Sequence, residues 1–197
     1  SKLMSEQEIA DNYNLNNDEI LYLNFNEENA NDISGNENHG QAFNVTYSEG
    51  IDGKAAHIVN TNGSSSQKVS SYINLANQID LGTSDFTISF WYKSNVGNED
   101  GGTVISNKDY KSGTNDGFAI GSFTNEIRAN FAFNGRRKDV KFTPIDGLWH
   151  HNLVTYDRDG KMLTYTDGIK SGEADISEFI NDDINIGDLV IGADKNK

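Results

Sequence analysis

Between Asn26 and Gly40 the chain gathers Asn26, Glu27, Glu28, Asp32, Asn36 and Asn38, a run of carboxylate and amide oxygens interrupted by small residues. Calcium takes about six to eight hard oxygen ligands, and side-chain oxygens supplemented by backbone carbonyls in one loop meet that need. The loop is therefore a candidate calcium site, with Asp32 as its anchor and Asn26, Asn36 and Asn38 as further ligands. Its spacing is not that of an EF-hand. A second group is suited to sugars. Thr87, Ser89, Trp91 and Lys93 alternate with apolar residues, and so do Glu126, Arg128, Asn130 and Asn134. If these two rows lie side by side, they make a polar face carrying one aromatic, on which a sugar ring can stack while its hydroxyls find partners. The competing reading of Trp91 is a core residue. The loop Lys108 to Asp116 adds Lys108, Asp109, Tyr110 and Asn115, and the hairpin tip after Gly135 adds Arg136, Arg137 and Lys138. Guanidinium groups pair bidentately with carboxylates, so this basic tip points to an acidic glycan, or else is a solvated turn.

Other residues argue against catalysis and against zinc. His150 and His151 are adjacent on a strand, which sends them to opposite faces, so they cannot work as a pair. None of His39, His57, His150 and His151 has the CxxC or HExxH context of a zinc site, and no serine has a nucleophile-elbow context. Asn44-Val-Thr46 and Asn62-Gly-Ser64 are glycosylation sequons, meaningful only in a eukaryotic secretory pathway.

Strands must position these groups. In Asp85 to Lys93, Phe86, Ile88, Phe90 and Tyr92 share one side of an extended chain, and the polar row with Trp91 shares the other. Ile127, Ala129, Phe131 and Phe133 repeat the pattern, and these two apolar rows are expected to face each other across the core. Further strands are expected over 19–25, 42–47, 55–59, 72–75, 103–106, 118–122, 149–156, 161–166 and 189–191, with Asp167-Gly168 as a hairpin turn. Such short strands, rich in turns, describe an all-β antiparallel two-sheet sandwich. Ser5 and Glu8 have capping-box spacing and predict a short N-terminal helix ahead of it.

Composition bounds the function classes. The 197 residues, with a single proline and 19 glycines, suit one β-rich unit with many turns. The formal net charge of -14 repels a phosphate backbone, so nucleic-acid binding is not expected. Without cysteine there is no disulfide and no thiolate chemistry. No apolar run reaches membrane-spanning length, so membrane insertion is not expected.

Three stretches together resemble the laminin-G-like branch of the concanavalin A-like jelly rolls: Phe25 to Gly40, Asp85 to Lys93, and Gly147 to Asp157 followed by Tyr165-Thr-Asp-Gly168. The resemblance implies a jelly roll over residues 19–197 that lacks the family's last strand. Ser1 to Tyr13 resembles the family's closing helix, which implies either that residues 1–18 are the tail of a preceding similar module or that the boundaries are out of phase with the domain. It further implies a structural calcium near the first loop and a non-catalytic carbohydrate-binding module. Such a module belongs to a larger secreted or cell-surface bacterial protein, such as a glycoside hydrolase, with neighbouring domains in the same chain. A protein-protein adhesion or spacer module is the alternative. A β-glucanase is a distant one: Glu173, Asp175 and Glu178 satisfy the ExDxxE pattern of jelly-roll glucanases, but Ala174 and Ser177 replace the bulky apolar residues expected between the carboxylates.

Overall fold

The computed structural model describes residues 19–59, 71–75, 79–94, 102–109, 112–123 and 125–194. The N-terminal helix expected from Ser5 and Glu8 and the expected ligand Tyr110 lie outside the described residues. The elements are β1 (Gly40–Phe43), β2 (Thr46–Glu49), β3 (Lys54–His57), β4 (Tyr72–Leu75), β5 (Phe86–Tyr92), β6 (Thr103–Ser106), β7 (Gly117–Phe123), β8 (Glu126–Phe133), β9 (Arg136–Pro144), β10 (His150–Tyr156), β11 (Lys161–Thr166), β12 (Ile169–Asp175) and β13 (Val190–Ile191). A 3-10 turn, Ser177–Phe179, follows β12. All pairings are antiparallel. They build a seven-stranded sheet in the order β1-β4-β13-β6-β7-β8-β9, a four-stranded sheet in the order β12-β11-β10-β5, and the β2-β3 hairpin.

The two sheets face each other through the rows the alternation predicts. Ile127, Ala129 and Phe131 of β8 are fully buried, and Phe86, Ile88, Phe90 and Tyr92 of β5 pack against the same core. Phe86 stacks on Tyr156 with ring centroids 4.3 Å apart, and Tyr156 meets Phe131 at 5.6 Å and Phe118 at 5.8 Å. Aromatic faces of both sheets thus interlock in the middle of the sandwich, where offset and tilted contacts add to area burial. A polar seam crosses the sheets at one end: the Thr143 hydroxyl donates to the Asn152 side-chain oxygen and contacts the Thr166 hydroxyl at 2.9 Å. Gly172 is required where β12 passes Val140, because a Cβ there would sit 2.5 Å from the valine Cγ1.

Several expectations are corrected. Residues 19–25 do not form a regular strand. Leu21 and Leu23 pack on the core, but the backbone is bonded to the following loop, Tyr22 N–H donating to Asp32 and Tyr22 C=O accepting from Ile33. The strand expected over 42–47 is broken at Asn44, whose φ of 50° lies in the left-handed region. The basic stretch after Gly135 is the strand β9 rather than a tip. The tip is Asn134-Gly135, with φ values of 49° and 76°, the pair of positive angles a type I′ hairpin demands. Residues 169–175, left without an element by the sequence, form β12, an edge strand of the four-stranded sheet.

Candidate functional site

Strand register decides which candidate groups can meet. On β5, Trp91, Ser89 and Thr87 pair with His151, Leu153 and Thr155 of β10, so all six point away from the core on the four-stranded sheet. On β8, Arg128 and Asn130 pair with Lys141 and Asp139 of β9 on the seven-stranded sheet and point away from the core on its outer side. The two polar rows are therefore on opposite outer surfaces of the sandwich, and the single sugar face expected from them does not form. Alternation tells which side of a strand a residue takes, not which sheet the strand joins. Trp91 is not a core residue: it is 49% exposed.

The expected ligands Lys108, Asp109, Asn115 and Asn130 do come together, on the outer side of the seven-stranded sheet. There β7 presents small residues: Gly117, Ala119 and Gly121 pair with Ala132, Asn130 and Arg128 of β8. The trough they leave is filled by the Lys108 side chain, which is fully buried. At Gly117 a Cβ would lie 3.1 Å from the Lys108 Cβ and 2.5 Å from the Asn107 side-chain oxygen, so the loop can settle only on a glycine. Lys108 Nζ donates to Asn130 Oδ1 at 2.7 Å and to the Gly113 carbonyl at 3.1 Å. Asn130 Nδ2 in turn donates to Asp139 Oδ1 at 2.9 Å, and the other Asp139 oxygen holds Arg137 Nε at 2.9 Å. Burial pushes the Lys108 ammonium down to about 8, against the opposing pull of the Asp139 and Asp116 carboxylates. A hydrogen-bonded chain from loop to sheet thus ties Lys108 and Gly113 to β8 and β9.

The clamped loop forms one wall of a polar cup of about 600 Å³. Asp109, Thr114, Asn115 and Asp116 line it from the loop, Asn134 and Gly135 from the β8-β9 turn, and Ile186 closes one side. Its walls are tied together. Asn134 N–H donates to Asp116 Oδ1 at 2.7 Å, and Asn115 Nδ2 donates to the Asp109 carbonyl at 2.9 Å. Carboxylates, amides and a hydroxyl offer acceptors and donors side by side, which suits hydroxyl groups that do both. The volume lies within the range of small-molecule sites. Thr114 and Asp116 lie in the candidate loop but were not named one by one as ligands, and Asn134 was expected on the polar row of β8; Asn134-Gly135 was there to be read as a turn that brings β8's end to the loop.

The basic residues are engaged internally. Arg136 pairs with Asp182 at 2.5 Å and with Glu178 at 3.7 Å, and its guanidinium lies 4.9 Å from the centre of the Phe179 ring. Lys138 holds Glu178 at 2.9 Å, and Arg137 holds Asp139. These charges neutralise acids of the same chain, so Arg136 and Arg137 do not stand as unpaired cations for an acidic glycan. The ExDxxE carboxylates are likewise dispersed. The Lys161 and Lys170 side chains bond to one Glu173 oxygen each and hold its carboxyl down at about 2, so two ammonium groups occupy the oxygens a nucleophile would need free. Asp175 accepts from the Ser177 backbone and hydroxyl, while Glu178 turns to β9.

The expected calcium loop closes on itself. Asp32 oxygens accept the N–H groups of Tyr22 at 2.9 Å, Ser34 at 2.9 Å and Asn38 at 3.0 Å, and the Ser34 hydroxyl at 2.9 Å. Burial pushes the Asp32 carboxyl up, but these hydrogen bonds together outweigh it and hold it below its ordinary value. The amide nitrogens of Asn36 and Asn38 donate to the carbonyls of Glu19 and Ile20, both at 2.8 Å, and Asn26 Oδ1 accepts from Lys54 N–H at 2.8 Å. At Asp32 and Asn26, N–H donors occupy oxygens that a cation would need bare, so as placed these two do not fit a calcium ligand set. No group of three or more His, Asp or Glu among the described residues is placed to hold a metal ion.

A family model described as the Concanavalin A-like lectin/glucanases superfamily matches residues 66–197. No curated protein matches the chain. Among solved structures, the binding domain of Paraclostridial Mosquitocidal Protein 1 is similar at 21% identity and a TM-score of 0.65, covering 82% of this chain and 41% of that one. The binding domain of botulinum neurotoxin DC in complex with SialylT has 19% identity and a TM-score of 0.65, over 88% of this chain and 42% of that one. Domain 4 of AbnA, a GH43 extracellular arabinanase from Geobacillus stearothermophilus, in complex with arabinotriose, has 16% identity and a TM-score of 0.63, over 86% of this chain and 81% of that one. The chain spans about two fifths of the length of the toxin binding domains it resembles. At these identities the likeness is one of fold.

Proposed function

The chain belongs to the concanavalin A-like lectin/glucanases superfamily, and from that premise we propose that it is a non-catalytic carbohydrate-binding module of a larger exported protein, taking a neutral glycan in the cup beside the Lys108 loop. The observation that carries this reading is the cup itself. It is about 600 Å³, walled by hydroxyl, amide and carboxylate groups, and its loop is clamped by a buried lysine. Walls already in place bind without a cost of ordering them. The carboxylates of Asp109 and Asp116 disfavour an anionic sugar, and the nearby arginines are engaged by Asp139, Glu178 and Asp182. Glycans held by two proteins of similar fold, an arabinotriose and a SialylT, support carbohydrate as the ligand class. The module acts by concentrating its parent protein on a polysaccharide, not by transforming it.

The test is a glycan array followed by calorimetry on its neutral hits. Binding is expected to fall about tenfold or more in Asn115→Ala and in Asp116→Ala, because each removes direct hydroxyl partners. Chelator is expected to leave both binding and thermal stability unchanged. An array silent for neutral glycans, or hits held equally by both variants, overturns the reading.

A further inference from the structure

The outer face of the four-stranded sheet carries a different arrangement. Trp91 stands 49% exposed at one end of β5, its ring 5.3 Å from that of His151 and tilted by 57°. His151 is fixed from two sides: its Nε2 is 2.8 Å from the Ser89 hydroxyl, and its backbone N–H donates to Asp167 Oδ1 at 2.9 Å. The indole therefore has a rigid neighbour and an open surface. Toward the other end of β5 and β10, the outward pair is Thr87 with Thr155. Beyond it lies a depression of about 280 Å³ whose lining includes Asp85 and Asp157. From Trp91 to Asp85 the strand advances about 20 Å at ~3.3 Å per residue.

We propose that this stripe is a second carbohydrate-binding surface, which takes an extended neutral oligosaccharide along β5 and β10. One sugar ring lies on the Trp91 indole through its C–H face, and the following units present hydroxyls to Ser89, Thr87 and Thr155 and to the acidic depression. The occupant follows from chemistry on the face. The exposed Trp91 platform followed by hydroxyl side chains matches a chain of alternating C–H faces and hydroxyl edges, and Leu153, Leu163 and Tyr165, which share the face, are each only partly exposed. An apolar protein interface would need a larger continuous dry centre. Charge disfavours an anionic chain over most of the stripe: the depression is acidic, Lys161 and Lys170 at the far side of the sheet are bound to Glu173, and Lys93, beyond Trp91, lies 5.7 Å over the Trp149 ring. The stripe and the cup are on opposite sheets, so the module is bivalent.

Trp91 and Trp149 are the two tryptophans of the chain, so Trp149→Phe leaves Trp91 as the sole fluorescent indole. In that background the probes are cellohexaose, xylohexaose, arabinohexaose and mannohexaose, with sialyllactose as the charged control. At least one neutral hexasaccharide is expected to shift Trp91 emission saturably, and sialyllactose is not. In the wild-type background, Trp91→Ala is expected to lower that sugar's calorimetric affinity about tenfold, and Trp91→Tyr to retain most of it. Circular dichroism confirms that each variant is folded. Asn115→Ala, which empties the cup of a partner, is expected to leave the Trp91 signal intact. The stripe is overturned if no neutral hexasaccharide moves Trp91 emission. It is also overturned if Trp91→Ala binds as wild type while Asn115→Ala does not, a result that leaves the cup standing. Emission that changes with protein concentration alone overturns it in favour of a second copy of the chain.

Discussion

Asp32 receives three backbone N–H groups and one hydroxyl from within its own loop, and it is only 6% exposed. Replacing it by alanine strands those donors, and the expected loss of stability is about 2–3 kcal/mol, read from urea denaturation. Its carboxyl is held below its ordinary value of 3.8, so the contribution is present above the unfolded value and is lost as pH falls through the lower, folded one. His150 runs the other way. Its Nδ1 lies 2.7 Å from Asp167 and its Nε2 3.2 Å from Asp146, and the bond to Asp167 raises its pKa above the ordinary 6.5, more than burial lowers it. The stabilisation is complete below the ordinary value and fades as pH rises through the raised one. Nuclear magnetic resonance titration of the imidazole is expected to give a midpoint above 6.5, and His150→Gln is expected to flatten the stability profile in that range. At this scale the sequence was least legible. It showed that residues 26–38 carry oxygens, but not that backbone N–H groups would turn toward them.

Between the sheets, Phe131 of β8 touches Tyr156, Phe179 and the Arg158 guanidinium, at centroid distances of 5.6, 5.2 and 4.8 Å. Phe131→Ala is expected to cost about 3–5 kcal/mol, measured by chemical denaturation, since the ring is fully buried and its removal leaves a cavity between the sheets. The β5 and β8 rows that make this core were legible because aromatic and β-branched residues alternate there without interruption. β12 was not legible. Lys170-Ser-Gly-Glu173 has no apolar side to advertise, since Gly172 passes Val140 and the outward residues are charged. β9 was hidden by its opening basic run, although Asn134-Gly135 marks its start as a hairpin strand. The sharing of a surface by two strands depends on sheet order, and no local pattern in β5 or β8 encodes that.

Taken whole, the molecule carries a net charge of -14, and Arg136, Arg137 and Lys138 of β9 pair with acids of the same chain. Arg137→Ala is accordingly expected to leave glycan affinity unchanged while shifting stability by about 1 kcal/mol or less, because the Arg137–Asp139 pair is partly exposed. The overall two-sheet architecture was legible from strand number and turn chemistry; the division into seven and four strands was not, because it depends on where β13 inserts. That two-residue strand pairs through Val190 with Asn74 of β4 on one side and Ser106 of β6 on the other. During translation, β1 and β4 therefore have no route to the rest of their sheet until the peptide beyond Ile191 has left the ribosome, so the nascent domain waits half assembled with Ile73 and Leu75 uncovered. A ribosome stalled just before Ile184 is expected to display a protease-sensitive chain, and one stalled well past Ile191 a resistant one.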